Sequence, residues 1–170
     1  MIRIGNRREC FFDNYLIDEE KTTAEARLHH PVPREVVMNS DMPWETRGIA
    51  YENFFFDEEI GKFRMYYLGR EALTKSLRGE QIRVCYAEST DGLHWEKPSL
   101  GICEFKGSMQ TNIILDEKTA PFYDNFMVFK DENPACPHDK KYKGIGDYLH
   151  TLTVFYRDRK STRLNSSHAT

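Results

Sequence analysis

IAYENFFFDEEIGKFRMYYL, residues 49–68, decides the fold. Two runs rich in aromatic residues, Ile49 to Phe56 and Phe63 to Leu68, flank a polar turn from Asp57 to Lys62, which is the pattern of a β-hairpin. In the second run Phe63, Met65 and Tyr67 share one face while Arg64, Tyr66 and Leu68 share the other. Ile82 to Glu88 alternates in the same way, Ile82, Val84 and Tyr86 opposing Arg83, Cys85 and Ala87. Three such strands joined by turns make an antiparallel meander. Asp91-Gly92 then supplies a tight turn that returns Trp95 to the sheet.

The hairpin has a counterpart further on. Glu52-Asn53-Phe54 is echoed by Asp124-Asn125-Phe126, and each triplet leads an aromatic run, a polar turn and a second apolar run, Tyr142 to Ile145 in the later copy. Repeated hairpins that cannot bury their own faces predict a stacked or radial all-β architecture, with an acidic side chain at the equivalent point of each unit. The second cycle is expected to open after Asn112-Ile113-Ile114-Leu115 and to close with Leu149 to Tyr156. The connection from Asp131 to Lys140, with Pro134 and Pro137, reads as a surface insertion.

The flanks are less regular. Residues 1–47 read as a lead-in with one or two short strands around Phe11-Phe12 and Tyr15-Leu16-Ile17, broken later by Pro31, Pro33 and Pro43. Residues 48–157 form the repeat domain, a first unit at about 48–108 and a second at about 109–157. Residues 158–170 turn abruptly to Ser, Thr and Asn and read as a disordered, non-native tail.

Composition narrows the chemistry. The 170 residues carry 24 basic and 27 acidic side chains with no long block of one sign, so neither nucleic acid nor an anionic membrane is an expected partner. No apolar stretch approaches the roughly 18 residues of a membrane span, and the start lacks a signal-peptide core, so the expected location is cytoplasmic. Cys10, Cys85, Cys103 and Cys136 lack metal-site spacing and read as reduced structural thiols; no metal or cofactor is expected. Arg70, Lys75, Arg78 and Arg83 read as a solvated basic face, and Asp13 and Asp18 as turn residues. Of the histidines, only His150 is placed near a pocket.

FFDNYLIDE (Phe11 to Glu19), RLHHPVP (Arg27 to Pro33), DMPWE (Asp41 to Glu45), GKFRMYY (Gly61 to Tyr67), CYAESTDGLHWEKPSLG (Cys85 to Gly101), TNIIL (Thr111 to Leu115) and KKYKGIG (Lys140 to Gly146) together resemble a bacterial group. They are similar to five-bladed β-propeller glycoside hydrolase-like proteins related to families 32 and 43. The resemblance implies an incomplete five-bladed propeller, about two blades of antiparallel meander sheets from the N-terminal part of a longer chain. It also implies an oligosaccharide or glycoside substrate, hydrolysed by carboxylates that blades aim at a central axis, although the family 32 and 43 signature motifs are absent.

On that reading Asp124 and Glu52, at the starts of the inner strands, are the candidate catalytic carboxylates. Trp44, Glu45 and Arg47 form a candidate sugar-binding group, an indole platform beside hydrogen-bonding charges, and Trp44 as a core plug is the competing role. Asn53 and Asn125 are candidates for binding sugar hydroxyls, with backbone turns as their alternative. A non-catalytic carbohydrate-binding propeller and a glycoside phosphorylase remain alternatives. Two blades without neighbours expose apolar faces, so the chain is expected to self-associate. Sedimentation velocity over a concentration series checks this, and a sharply melting, monodisperse monomer would contradict it.

Overall fold

The computed structural model describes residues 3, 5, 6, 9–73, 80–119, 125–148, 151–157 and 164–168. The chain divides into two units, Met1–Glu35 and Val36–Thr170. In the first, the expected strands are not formed among the described residues. Phe11, Phe12 and Tyr15 are exposed, and the chain turns at Asp13, which accepts the Tyr15 amide, and again at Asp18, whose carbonyl accepts the Thr22 amide. The two aspartates are the turn residues the sequence implies, and their turns interrupt apolar runs too short to pair.

The second unit is all-β, with two antiparallel sheets and no α-helix among the described residues. The first sheet runs in the order β1 (Ile49–Asp57), β2 (Lys62–Ala72), β3 (Glu80–Ser89) and β4 (Ile113–Leu115). The second runs β5 (Met127–Lys130), β6 (Tyr142–Tyr148), β7 (Thr151–Arg157) and β8 (Leu164–His168). No helix among the described residues is long and apolar enough to cross a membrane.

The meander forms where the alternation predicts it, but two boundaries move. Ile113–Leu115 belongs to the first sheet, pairing with Val84 and Cys85, and does not open the second. Ile113 and Leu115 are buried in two different apolar clusters, one on each side of that sheet, which gives this short strand its place. Leu164–His168 pairs along β7 from Thr153 to Arg157, so a segment read as an irregular tail contains a strand. The backbone ladder needs no apolar alternation at a sheet edge, and a composition rich in Ser and Asn therefore hid it.

Each face of the first sheet has its own core. On one, Met65, Tyr67, Cys85, Ala87 and Ile113 are covered by Trp44, Cys103 and Phe105 from the segments that precede β1 and follow β3. Trp95 joins this cover after a turn in which Asp91 Oδ1 accepts the Leu93 and His94 amides, both at 2.8 Å, and Gly92 takes φ +77°. On the other face Tyr66, Leu68, Val84 and Tyr86 pack against Phe126, Val128 and Phe155 of the second sheet. The basic residues read as a solvated face include internal pairs: Arg83, itself buried, meets Glu71 at 2.8 Å, and Arg70 meets Glu80.

The aromatic runs that follow the two triplets have different surroundings. Asn53, Phe55 and Asp57 of β1 face the second sheet, while Phe54 and Phe56 face away, against Trp95 and Phe63. In the second sheet Phe126, Val128 and Lys130 face the first, leaving Met127 and Leu152 exposed on the far side. β1 and β5, the first strand of each sheet, lie together and run in the same direction, so the two sheets stack in the same sense. Phe126, packed against the first sheet, is 2% exposed, and Phe54, edge-on to Trp95, is 60% exposed.

Two glycines in β6 make the inter-sheet packing possible. A Cβ on Gly144 would stand 2.8 Å from Phe126 Cζ, and one on Gly146 would stand 2.7 Å from Phe126 Cδ2. The ring is held on its other side by Phe155, edge-on at 5.6 Å, so it has little room to give. Gly146→Ala is expected to cost about 1–3 kcal/mol in urea unfolding, with partial recovery in Gly146→Ala/Phe126→Leu. An unchanged midpoint in the single variant would show that the ring is not wedged there.

Candidate functional site

β1 and β5, the first strands of the two sheets, run side by side. Val128 N–H donates to Asn53 Oδ1 at 2.9 Å, and further along Lys130 Nζ reaches Asp57 Oδ1 at 3.2 Å. Both strands therefore begin at the same end of the sheet pair, where an acidic residue is expected in each.

At that end β1 carries a bulge. Ala50 pairs with Leu68 and Asn53 with Tyr66, so Tyr51 and Glu52 together oppose Tyr67. Bulges re-aim side chains and release them from the ladder. Glu52 is exposed, and so is Tyr51, whose φ of 55° lies in the left-handed region that a bulky residue rarely adopts. Asn125, just before β5, is exposed at the same φ of 55°. The sequence gives no sign of the Tyr51 conformation, because such a bulge position ordinarily takes glycine.

The other expected site residues lie elsewhere or serve the fold. Asp124 and His150 lie outside the described residues. Asn53 holds a backbone amide of the neighbouring sheet. Arg47 is half-buried, and its backbone amide donates to the Arg70 carbonyl at 2.8 Å.

Trp44 and Glu45, expected as a sugar platform and its partner, are 5% and 1% exposed. The indole lies edge-on to Phe105 at 5.3 Å and donates to Asn112 Oδ1 at 3.1 Å. Asn112 Nδ2 donates in turn to Tyr67 Oη, Tyr67 donates to Glu45 Oε1, and Lys97 Nζ meets Glu45 Oε2, each at 2.7 Å. Burial raises the Tyr67 hydroxyl far above its ordinary value, and the Glu45 carboxylate adds to that rise, so this tyrosine stays a donor. The core-plug role is thus the one the structure gives Trp44. Gly69 permits it, since its Cα lies where a Cβ would be 3.3 Å from the indole.

A second polar cluster escaped the sequence reading altogether. Asp57, fully buried at the end of β1, is met by Arg64 at 2.9 Å, by the Tyr142 hydroxyl at 2.8 Å and by Lys130. Its partners come from both sheets, and nothing in the local pattern around a hairpin aspartate announces them. An open cleft of about 410 Å³ lies beside it, lined by Glu58, Lys130, Asp131, Cys136 and His138 among others. Its charges are largely spent on each other, Lys130 with Glu58 and Lys143 with Asp131, which disfavours it as a ligand site. The four cysteines form no disulfide, and no group of three or more His, Cys, Asp or Glu among the described residues could hold a metal ion.

Compared with known protein families, curated proteins and solved structures, the chain matches none.

Burial pushes the Asp57 carboxyl up, but the Tyr142 hydroxyl, Arg64 and Lys130 outweigh it and hold the group below its ordinary value of 3.8. A carboxyl depressed in the folded state adds stability that is fully present above its unfolded value, near 4. That stability is lost as pH falls through the lower folded value. Thermal melts between pH 7 and 2 should show a drop below about pH 4 in the wild type, smaller in Asp57→Asn. Parallel curves would remove Asp57 from the linkage.

Proposed function

We propose that these two sheets are neighbouring blades of an incomplete five-bladed β-propeller in a carbohydrate-active enzyme, with Glu52 at its axis. The observation that carries the reading is the stacking. Each sheet meanders outward from an inner strand, the two stack in the same sense, and their inner strands lie side by side with an exposed carboxylate on a bulge where the first begins. A sandwich of two sheets related by a two-fold axis would instead turn the same face of each toward the other.

Glycoside hydrolysis needs two carboxyl groups across the scissile bond. Glu52 supplies one, and Asp124, the equivalent position of the second repeat, is the candidate for another or for a group that tunes its partner's acidity. The overall balance of charge suits a neutral substrate such as an oligosaccharide. Trp44 has no part in this site.

Two blades of five are expected to bind sugar without turning it over. In a protein that closes these strands into a full propeller, Glu52→Gln and Asp124→Asn should each lower turnover of aryl glycosides at least about 100-fold. Unchanged turnover in both variants would take these residues out of the mechanism.

A further inference from the structure

We propose that Tyr51 is the aromatic platform of the saccharide site, held in a strained conformation that presents its ring beside Glu52; this rests on the carbohydrate reading above. Among the described residues, three that are not glycine have positive φ: Tyr51, Asn125 and Lys106. Lys106 sits in the turn closed between Phe105 and Ser108, where such a conformation is ordinary. The other two stand at the starts of the two inner strands. Asn125 is of a residue type that takes this conformation readily, so of the two it is Tyr51, on the bulge, whose backbone is strained.

Tyrosine is a poor choice there for stability. A bulge residue in the left-handed region is unstrained as glycine, whereas a bulky side chain makes the conformation costly. Nor does the ring recover that cost by packing, since Tyr51 is 53% exposed and belongs to neither apolar cluster. An exposed ring, a free carboxylate on the next residue and a backbone released from the ladder are the components of sugar recognition. The ring face covers the apolar face of a pyranose or furanose, and the carboxylate accepts from its hydroxyls. Trp44, the aromatic that the sequence offered for this role, is sealed in the core.

Strain kept for binding makes an unusual pair of expectations. Tyr51→Gly should relieve the backbone and raise Tm by about 2–4 °C. The same variant should weaken binding of a neutral oligosaccharide about tenfold in isothermal titration calorimetry. The probes are maltohexaose, xylohexaose and fructo-oligosaccharides at millimolar concentration. Tyr51→Phe, which keeps the ring, should retain binding to within about threefold. A lower Tm in Tyr51→Gly would show that the ring serves packing, and undiminished binding in that variant would also overturn the platform while leaving the carbohydrate reading intact. No saturable heat from any probe with the wild-type chain would overturn both.

Discussion

The meeting of the two sheets is the constraint on which the remaining structure depends. The sheets depend on each other, because Tyr66, Leu68, Val84 and Tyr86 on one side and Phe126, Val128 and Phe155 on the other exclude water by packing in one cluster. Apolar contact by itself would permit sliding. The register is fixed by polar contacts along the inner strands, with Asn53 accepting the Val128 amide and Asp57 gathering Arg64, Lys130 and Tyr142 from both sheets. The glycines of β6 let the backbone come close enough for Phe126 to fit.

That arrangement also determines what is left exposed. The first sheet is closed on its far side by Trp44, Cys103 and Phe105, and the Glu45, Tyr67, Lys97 and Asn112 network beneath them satisfies its buried polar atoms. A fully connected network of this kind fixes the segment leading into β1, and with it the bulge where Tyr51 and Glu52 emerge. On the second sheet Met127 and Leu152 lie exposed on the outer face.

Much of this was legible in the sequence. The alternation through Phe63 to Leu68 and Ile82 to Glu88 gave the central strands and their two faces, because side-chain direction in a strand follows from position alone. What escaped depended on contacts distant in sequence. Trp44 could equally plug a core or hold a sugar until Phe105 and Asn112, far along the chain, were seen to surround it. Asp57 resembled any hairpin aspartate because its partners Lys130 and Tyr142 come from the other sheet. β4 falls beyond the unit boundary drawn at about residue 108, because three apolar residues pair equally well with either neighbour until the register is known. Tyr51 carried no signal, since its backbone conformation is one its residue type disfavours.

Amide chemical-shift mapping of the wild-type chain during titration with neutral oligosaccharides tests the central claim most directly. The account predicts saturable shifts concentrated at Tyr51, Glu52, Asn53 and Asn125, at the shared end of the inner strands. Shifts confined to the cleft around Lys130 and His138, with the inner-strand starts unmoved, would contradict it.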